Sequence, residues 1–260
     1  MRMKKSPLEK ERQKLTKQEQ SFLQKHQKEN DSKLNQLLRE KVPDKLQDTL
    51  DAAFAKAFTV IFTKGTNVIE KTYQKEQLEK HYDVNVYAAK QMNTSKQWKT
   101  FSKQSKGVAN KNLMISGVSG VGLGLLGVGL PDIVLFTGMI LRSVYEIALQ
   151  YGFSYENETE KRFILLMIQG ALSHGSELEA INHEIDQFII YGTFSEEKEM
   201  DACIAEAAGG MSKELLYMKF LQGIPLVGAV GGAYDAVYMK RINQYVQLKY
   251  RKRFLEKMKA

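Results

Sequence analysis

Two uncharged, glycine-rich stretches limit what this chain can fold into more than any other feature. From Asn112 to Pro131 there is no ionisable side chain, and Gly117, Gly120, Gly122, Gly124, Gly127 and Gly129 fall within those twenty residues. A second stretch of fourteen uncharged residues, Leu221 to Tyr234, holds Gly228, Gly231 and Gly232. Each glycine in a helix interior costs about 1 kcal/mol against alanine, so helices this rich in glycine need a compensating contact. Ser116, Gly120 and Gly124 lie four apart, as do Gly228, Gly232 and Ala236. That spacing sets small residues in a ridge along one helix face, where a second helix can approach closely. The two stretches are expected to be helical and packed at the centre of the fold, against one another.

The rest of the chain has helical periodicity. Leu46, Leu50, Ala53, Phe54, Ala57, Phe58, Ile61 and Phe62 recur at the i, i+3, i+4, i+7 spacing of a buried helix face. Gly65 either interrupts this helix or permits close packing. Gly152 suits the residue just past a helix end, Asn157 and Glu160 form a capping pair, and Gly175 and Gly192 are expected to end helices. Gly209-Gly210 predicts a break or bend, and Gly223-Ile224-Pro225 an interruption. Four prolines in 260 residues leave long stretches free of breakers, and neither strand alternation nor a tandem repeat is visible. The expectation is all-α: one helical domain over residues 42–260, preceded by a polar, basic extension over residues 1–41 in which a solvated start leads into a peripheral helix.

Composition places the chain. The single cysteine, Cys203, excludes an intramolecular disulfide framework and fits a reducing compartment. It lies in a helical run and reads as a small apolar packer. The basic N-terminus has no apolar run behind it, unlike a secretory signal, so a cytoplasmic location is expected. The first glycine-rich stretch just reaches the roughly 20 residues of a membrane span, but glycine dilutes its hydropathy and the whole chain has mean hydropathy −0.37. Buried or membrane-surface helices are expected, with a shallow hairpin or true spans as alternatives.

These same residues carry a family likeness. Gly122 to Phe136 reads Gly-Leu-Gly-Leu-Leu-Gly-Val-Gly-Leu-Pro-Asp-Ile-Val-Leu-Phe, followed by Arg142, Glu146 and Tyr151-Gly152-Phe153. Ile224-Pro225-Leu226-Val227-Gly228 leads into Gly231-Gly232-Ala233, and Phe54, Phe58, Gly65, Thr66, Ile69 and Glu70 come earlier. In this order the motifs resemble those of the EcsC family of bacterial proteins, over roughly Val42 to Phe254. The resemblance implies an association with an exporter-type ABC transporter operon, so transporter components are expected partners. It implies no established reaction.

Specific chemistries find little support. No GxxxxGK[ST] loop is present, and Gly122, Gly124 and Gly127 spell G-x-G-x-x-G without the preceding strand that a dinucleotide site needs. Ser119 is not in a G-x-S-x-G elbow. His174 and His183 lack metal-ligand spacing, so neither metal nor cofactor is expected and no catalytic residue is assigned. Four charged residues near the apolar stretches form a candidate polar cluster: Asp132, Arg142, Glu146 and Asp235. Arg142 and Glu146, at i and i+4, can pair, and buried charges need partners, so the cluster is either structural or a ligand or active site.

Charge is unevenly spread. Gly152 to Glu206 carries twelve acidic residues against three basic ones, and Lys240 to Ala260 eight basic against Glu256 alone. Lys240, Arg241, Lys249, Arg251, Lys252 and Arg253, interleaved with Tyr238, Ile242, Tyr245, Val246 and Phe254, read as a basic amphipathic helix for an anionic membrane surface. No nucleic-acid-binding module is present. The expected function is a non-enzymatic accessory protein, peripheral to the inner face of the cell membrane. The alternatives are a soluble carrier of a lipid or other apolar ligand held between the glycine-rich helices, and an enzyme using the polar cluster.

Overall fold

The computed structural model describes residues 5–27, 42–92, 94, 96–98, 100, 131–221 and 233–258, without the side chains of residues 92, 131, 132, 218–221 and 233–236. Among these residues there is no strand, and the helices share one hydrophobic core. In chain order they are α1 (Pro7–His26), α2 (Asp44–Val60), α3 (Thr66–Glu70), α4 (Lys75–Met92), α5 (Pro131–Gln150), α6 (Glu158–Leu172), α7 (Gly175–Tyr191), α8 (Met200–Leu221) and α9 (Ala233–Lys257). The fold is all-α, as the periodicity predicts.

At the centre lie α5 and α9. Between Ile133 and Gln150 only Leu135, Met139 and Arg142 are not fully buried. By length and composition this helix is apolar enough to cross a membrane, yet 83% of it is buried inside the fold. The two central helices run parallel. The ring of Phe136 is 6.5 Å from that of Tyr238, the Ser143 hydroxyl donates to the Asn243 side-chain carbonyl at 2.8 Å, and the Tyr151 ring is 6.0 Å from Phe254. Helices α1, α2, α4, α6 and α7 pack around this pair, and α8 packs on α2 and α6.

Local signals explain most helix ends. Gly152 stands at φ +73°, and a Cβ there would fall 2.1 Å from the Tyr82 ring, so both conformation and space require glycine. Gly192 ends α7 in the left-handed region at φ +77°. The Asn157 side chain accepts from the Glu160 backbone N–H at 2.7 Å, but the Glu160 carboxylate does not complete the capping box and turns to the interior instead. Around Gly65 the helix widens into a π-helical turn over Ile61–Gly65, where Thr66 Oγ1 donates to the Ile61 carbonyl five residues back at 3.1 Å.

Two expectations are corrected. Gly209-Gly210 does not break its helix, because α8 runs unbroken from Met200 to Leu221, held between α2 and α6. Gly175 opens α7, and Ser173 is the residue that caps the end of α6. Within the N-terminal extension the expected helix is α1, and it docks on the core. Ser6 and Glu9 form a capping box that starts α1, and Leu15 and Phe22 are buried in the common core.

Candidate functional site

One polar cluster among the described residues joins three separate parts of the chain. Thr66 and Glu70 come from α3, Tyr73 and Lys75 from the turn into α4, Arg142, Tyr145 and Glu146 from α5, and Tyr155 and Glu156 from the α5–α6 loop. The Tyr155 hydroxyl donates to Glu70 Oε1 at 2.6 Å. Its only proton is thereby used, so the Tyr73 hydroxyl, 2.5 Å away, donates to Tyr155. Lys75 Nζ bridges Glu70 at 3.0 Å and Glu156 at 2.7 Å. The Tyr145 and Tyr155 rings stack with centroids 4.0 Å apart, and Arg142 Nε donates to Glu146 Oε1 at 2.9 Å.

Electrostatics fix the protonation of this cluster. Burial opposes charge on Glu70, but hydrogen bonds from Tyr155 and Lys75 outweigh it and hold its pKa below the usual value. Burial likewise disfavours the Lys75 ammonium, while Glu156 and Glu70 more than compensate and raise its pKa. Burial raises all three phenols: Tyr73 is pushed further by Glu70, Glu146 and Tyr145, Tyr155 by its bonds to Glu70 and Tyr73, and Tyr145 by Glu70. None of these shifts brings a group towards neutrality, so the tyrosines keep their protons and Glu70 keeps its charge. The arrangement fastens α3, α4 and α5 together and presents no poised base or nucleophile.

Of the four residues expected to form a polar cluster, Arg142 and Glu146 pair as i and i+4. The Asp132 and Asp235 side chains, like Gly120, Gly124, Gly228 and Gly232, lie outside the described residues. Their backbone positions are nonetheless informative: 132 opens α5 and 235 opens α9, at the same end of the parallel pair. The tyrosine and Glu70 contacts were not legible in the sequence, since isolated tyrosines in helical stretches carry no spacing signal.

The basic C-terminal helix departs most from expectation. Lys249 has no exposed side-chain surface and its Nζ contacts Glu19 at 2.5 Å and Asp186 at 2.8 Å. Lys252 meets the same two carboxylates, at 2.9 and 2.8 Å. Arg251 pairs with Glu11 and donates to Gln18 at 3.1 Å. Arg253 grips both oxygens of Glu160, which also accepts from Tyr250 at 2.7 Å, and its guanidinium lies 4.3 Å from the centre of the Phe153 ring. Arg241 joins Glu214 at 3.0 Å and the Ser173 carbonyl at 2.9 Å. Of the six cations expected at a membrane, Lys240 alone is exposed. Helix α9 is a core helix, and its buried and half-buried cations at 241, 249 and 251–253 are neutralised by acids on α1, α6, α7 and α8, as buried charges require.

Beside Arg241 the rings of His26 and His174 lie 6.1 Å apart. Burial, then Arg241, His26 and Lys213, lower the His174 pKa to about 4, and burial with Arg241 lowers that of His26. Cys203 is half-buried against the core. Among the described residues no group of three or more His, Cys, Asp and Glu side chains is placed to hold a metal ion.

The architecture defines a single helical domain whose central pair of helices follows the two glycine-rich stretches. The EcsC protein family model matches residues 3–255, nearly the whole length, and the chain belongs to that family. The match begins thirty-nine residues before Val42 and includes α1, in keeping with its docking on α9. No curated protein and no solved structure matches the chain.

Proposed function

We propose that the protein is a non-enzymatic accessory protein at the cytoplasmic face of the membrane, serving ABC-transporter-dependent export. The observation that carries this reading is the common direction of α5 and α9. Both uncharged stretches run into the first residues of these helices, which begin at 131 and 233, and the two helices run side by side. The C-terminal ends of both stretches therefore lead into the same end of the helix pair, and two apolar sequences entering one end suit contact with a bilayer. The pairing of the described polar cluster, with Glu70 charged and its tyrosines protonated, supports a structural role for it. The transporter link rests on what the family resemblance implies.

The test is co-sedimentation of the purified protein with phosphatidylcholine vesicles, with and without phosphatidylglycerol, over a salt series. Binding that persists at high salt, and that Leu125→Lys and Val227→Lys each weaken at least tenfold while leaving the unfolding midpoint unchanged, is the expected result. Absence of binding to either vesicle type overturns the reading, and lipid co-purifying with a protein that ignores vesicles would favour a soluble carrier.

A further inference from the structure

Helix α1 separates its charges by face. Glu11 and Glu19 turn inward to Arg251, Lys249 and Lys252 of α9. Lys10, Lys14 and Lys17, at i, i+4 and i+7, share another face and are exposed. No carboxylate among the described residues pairs with any of the three. This lysine face forms one wall of a cavity of about 540 Å³ between α1 and α9. Gln244 and Gln247 of α9 line the facing wall, with Arg251, already neutralised by Glu11, also bordering the cavity. Among the described residues no acidic side chain lines it. The volume falls within the range typical of small-molecule sites.

We infer that this groove binds a phosphate ester of a polyhydroxylated molecule. Three ammonium groups supply donors and positive charge but no acceptor, so their partner must bring anionic oxygens. The carboxamides opposite both donate and accept, which suits hydroxyl groups better than a second anion. Because the same chemistry occurs in a lipid headgroup and in a soluble sugar or glycerol phosphate, the experiment must separate the two sources. The inference does not rest on the membrane reading, which concerns the apolar pole and salt-resistant binding.

The probes are glycerol 3-phosphate, followed by titration calorimetry, and phosphatidylcholine vesicles with or without phosphatidylglycerol, both at about 150 mM salt, near physiological ionic strength. The groove variant is Lys10→Gln with Lys14→Gln and Lys17→Gln. A control, Lys56→Gln with Lys64→Gln and Lys90→Gln, removes the same charge from exposed positions elsewhere. Gln244→Glu places a negative charge on the opposite wall without touching α1. The expected result is binding of at least one probe, weakened at least tenfold by the groove variant and by Gln244→Glu, and less than twofold by the control. Vesicle binding displaced by glycerol 3-phosphate identifies a headgroup, and binding of the soluble ester without vesicle capture identifies a soluble ligand. Equal losses in groove and control variants would mean diffuse attraction to net charge and overturn the site, as would failure of the wild type to bind either probe. All the substituted side chains are exposed, so the unfolding midpoints are expected to stay within 2 °C, taken as roughly the effect of 1 kcal/mol or less.

Discussion

Lys249 separates the two readings of the C-terminal helix. As a membrane contact it would face outward, and Lys249→Met would weaken vesicle binding while leaving stability nearly unchanged. In the structure its side chain has no exposed surface and its ammonium lies between Glu19 and Asp186. Removing one partner of a buried ion pair typically costs about 3–5 kcal/mol, because the remaining charge is stranded. Here Lys252 stays in contact with both carboxylates, so the lower end, about 3 kcal/mol, is expected. At about 2–4 °C per kcal/mol for a chain of this size, the midpoint should fall by about 6–12 °C. Trp98, the only tryptophan, is buried with its ring 6.3 Å from Phe254 and reports urea unfolding of this region by fluorescence. Adding Glu19→Gln leaves Asp186 and Lys252 as a balanced pair, so the double variant should be more stable than additivity predicts, by at least about 1 kcal/mol. A Lys249→Met protein within about 0.5 kcal/mol of wild type, typical of surface substitutions, or strict additivity in the double variant, would refute the buried network.

Two further predictions follow from local geometry. His174 has a pKa of about 4 in the fold and an ordinary value near 6.5 when unfolded, so the unfolded chain binds the extra proton first as pH falls. Its contribution is complete above about pH 6.5 and is lost towards pH 4; allowing for partial exposure it amounts to on the order of 1–2 kcal/mol. His174→Gln should flatten stability against pH over that window, and superimposable pH curves for the two proteins would contradict the assignment. Gly152→Ala and Gly192→Ala impose a similar positive φ, but only the first drives a Cβ into a ring, that of Tyr82, while the second meets nothing within 4 Å. Urea titrations should show a loss of about 1 kcal/mol for Gly192→Ala, from backbone strain alone, and a loss larger by about 1–3 kcal/mol for Gly152→Ala. Equal losses would mean that Tyr82 moves aside freely.

Much of the fold was legible because helical periodicity is a local property. Phe54, Ala57, Phe58 and Ile61 are fully buried along the stripe their spacing marks, and Gly152 and Gly192 end helices where left-handed backbone is needed. Gly209-Gly210 misled because its cost of about 1 kcal/mol per glycine is small beside the packing of α8 on α2 and α6. The charges on α9 misled for a different reason. Their periodic mixture with aromatics is common to a membrane-surface helix and to a core helix whose cations meet acids from distant sequence. Only tertiary structure tells these apart, since Glu11 and Glu19 are more than two hundred residues from Arg251 and Lys249.

The basic end of the chain therefore does not imply a face that seeks an outside partner. Glu160, Asp186 and Glu214 supply counter-charges to Arg253, Lys249 with Lys252, and Arg241, so much of the positive charge of α9 is consumed in joining α6, α7 and α8 to it. Helix α1 completes that pairing with Glu11 and Glu19, and its own lysines are thereby left facing solvent. Positive charge that a one-dimensional reading assigns to the C-terminus is in this way displaced to the N-terminal helix. The family match over residues 3–255 takes in α1: without this helix Arg251 would lose Glu11, Lys249 and Lys252 would share Asp186 alone, and the central helix would lose part of the charge balance that lets it be a core helix.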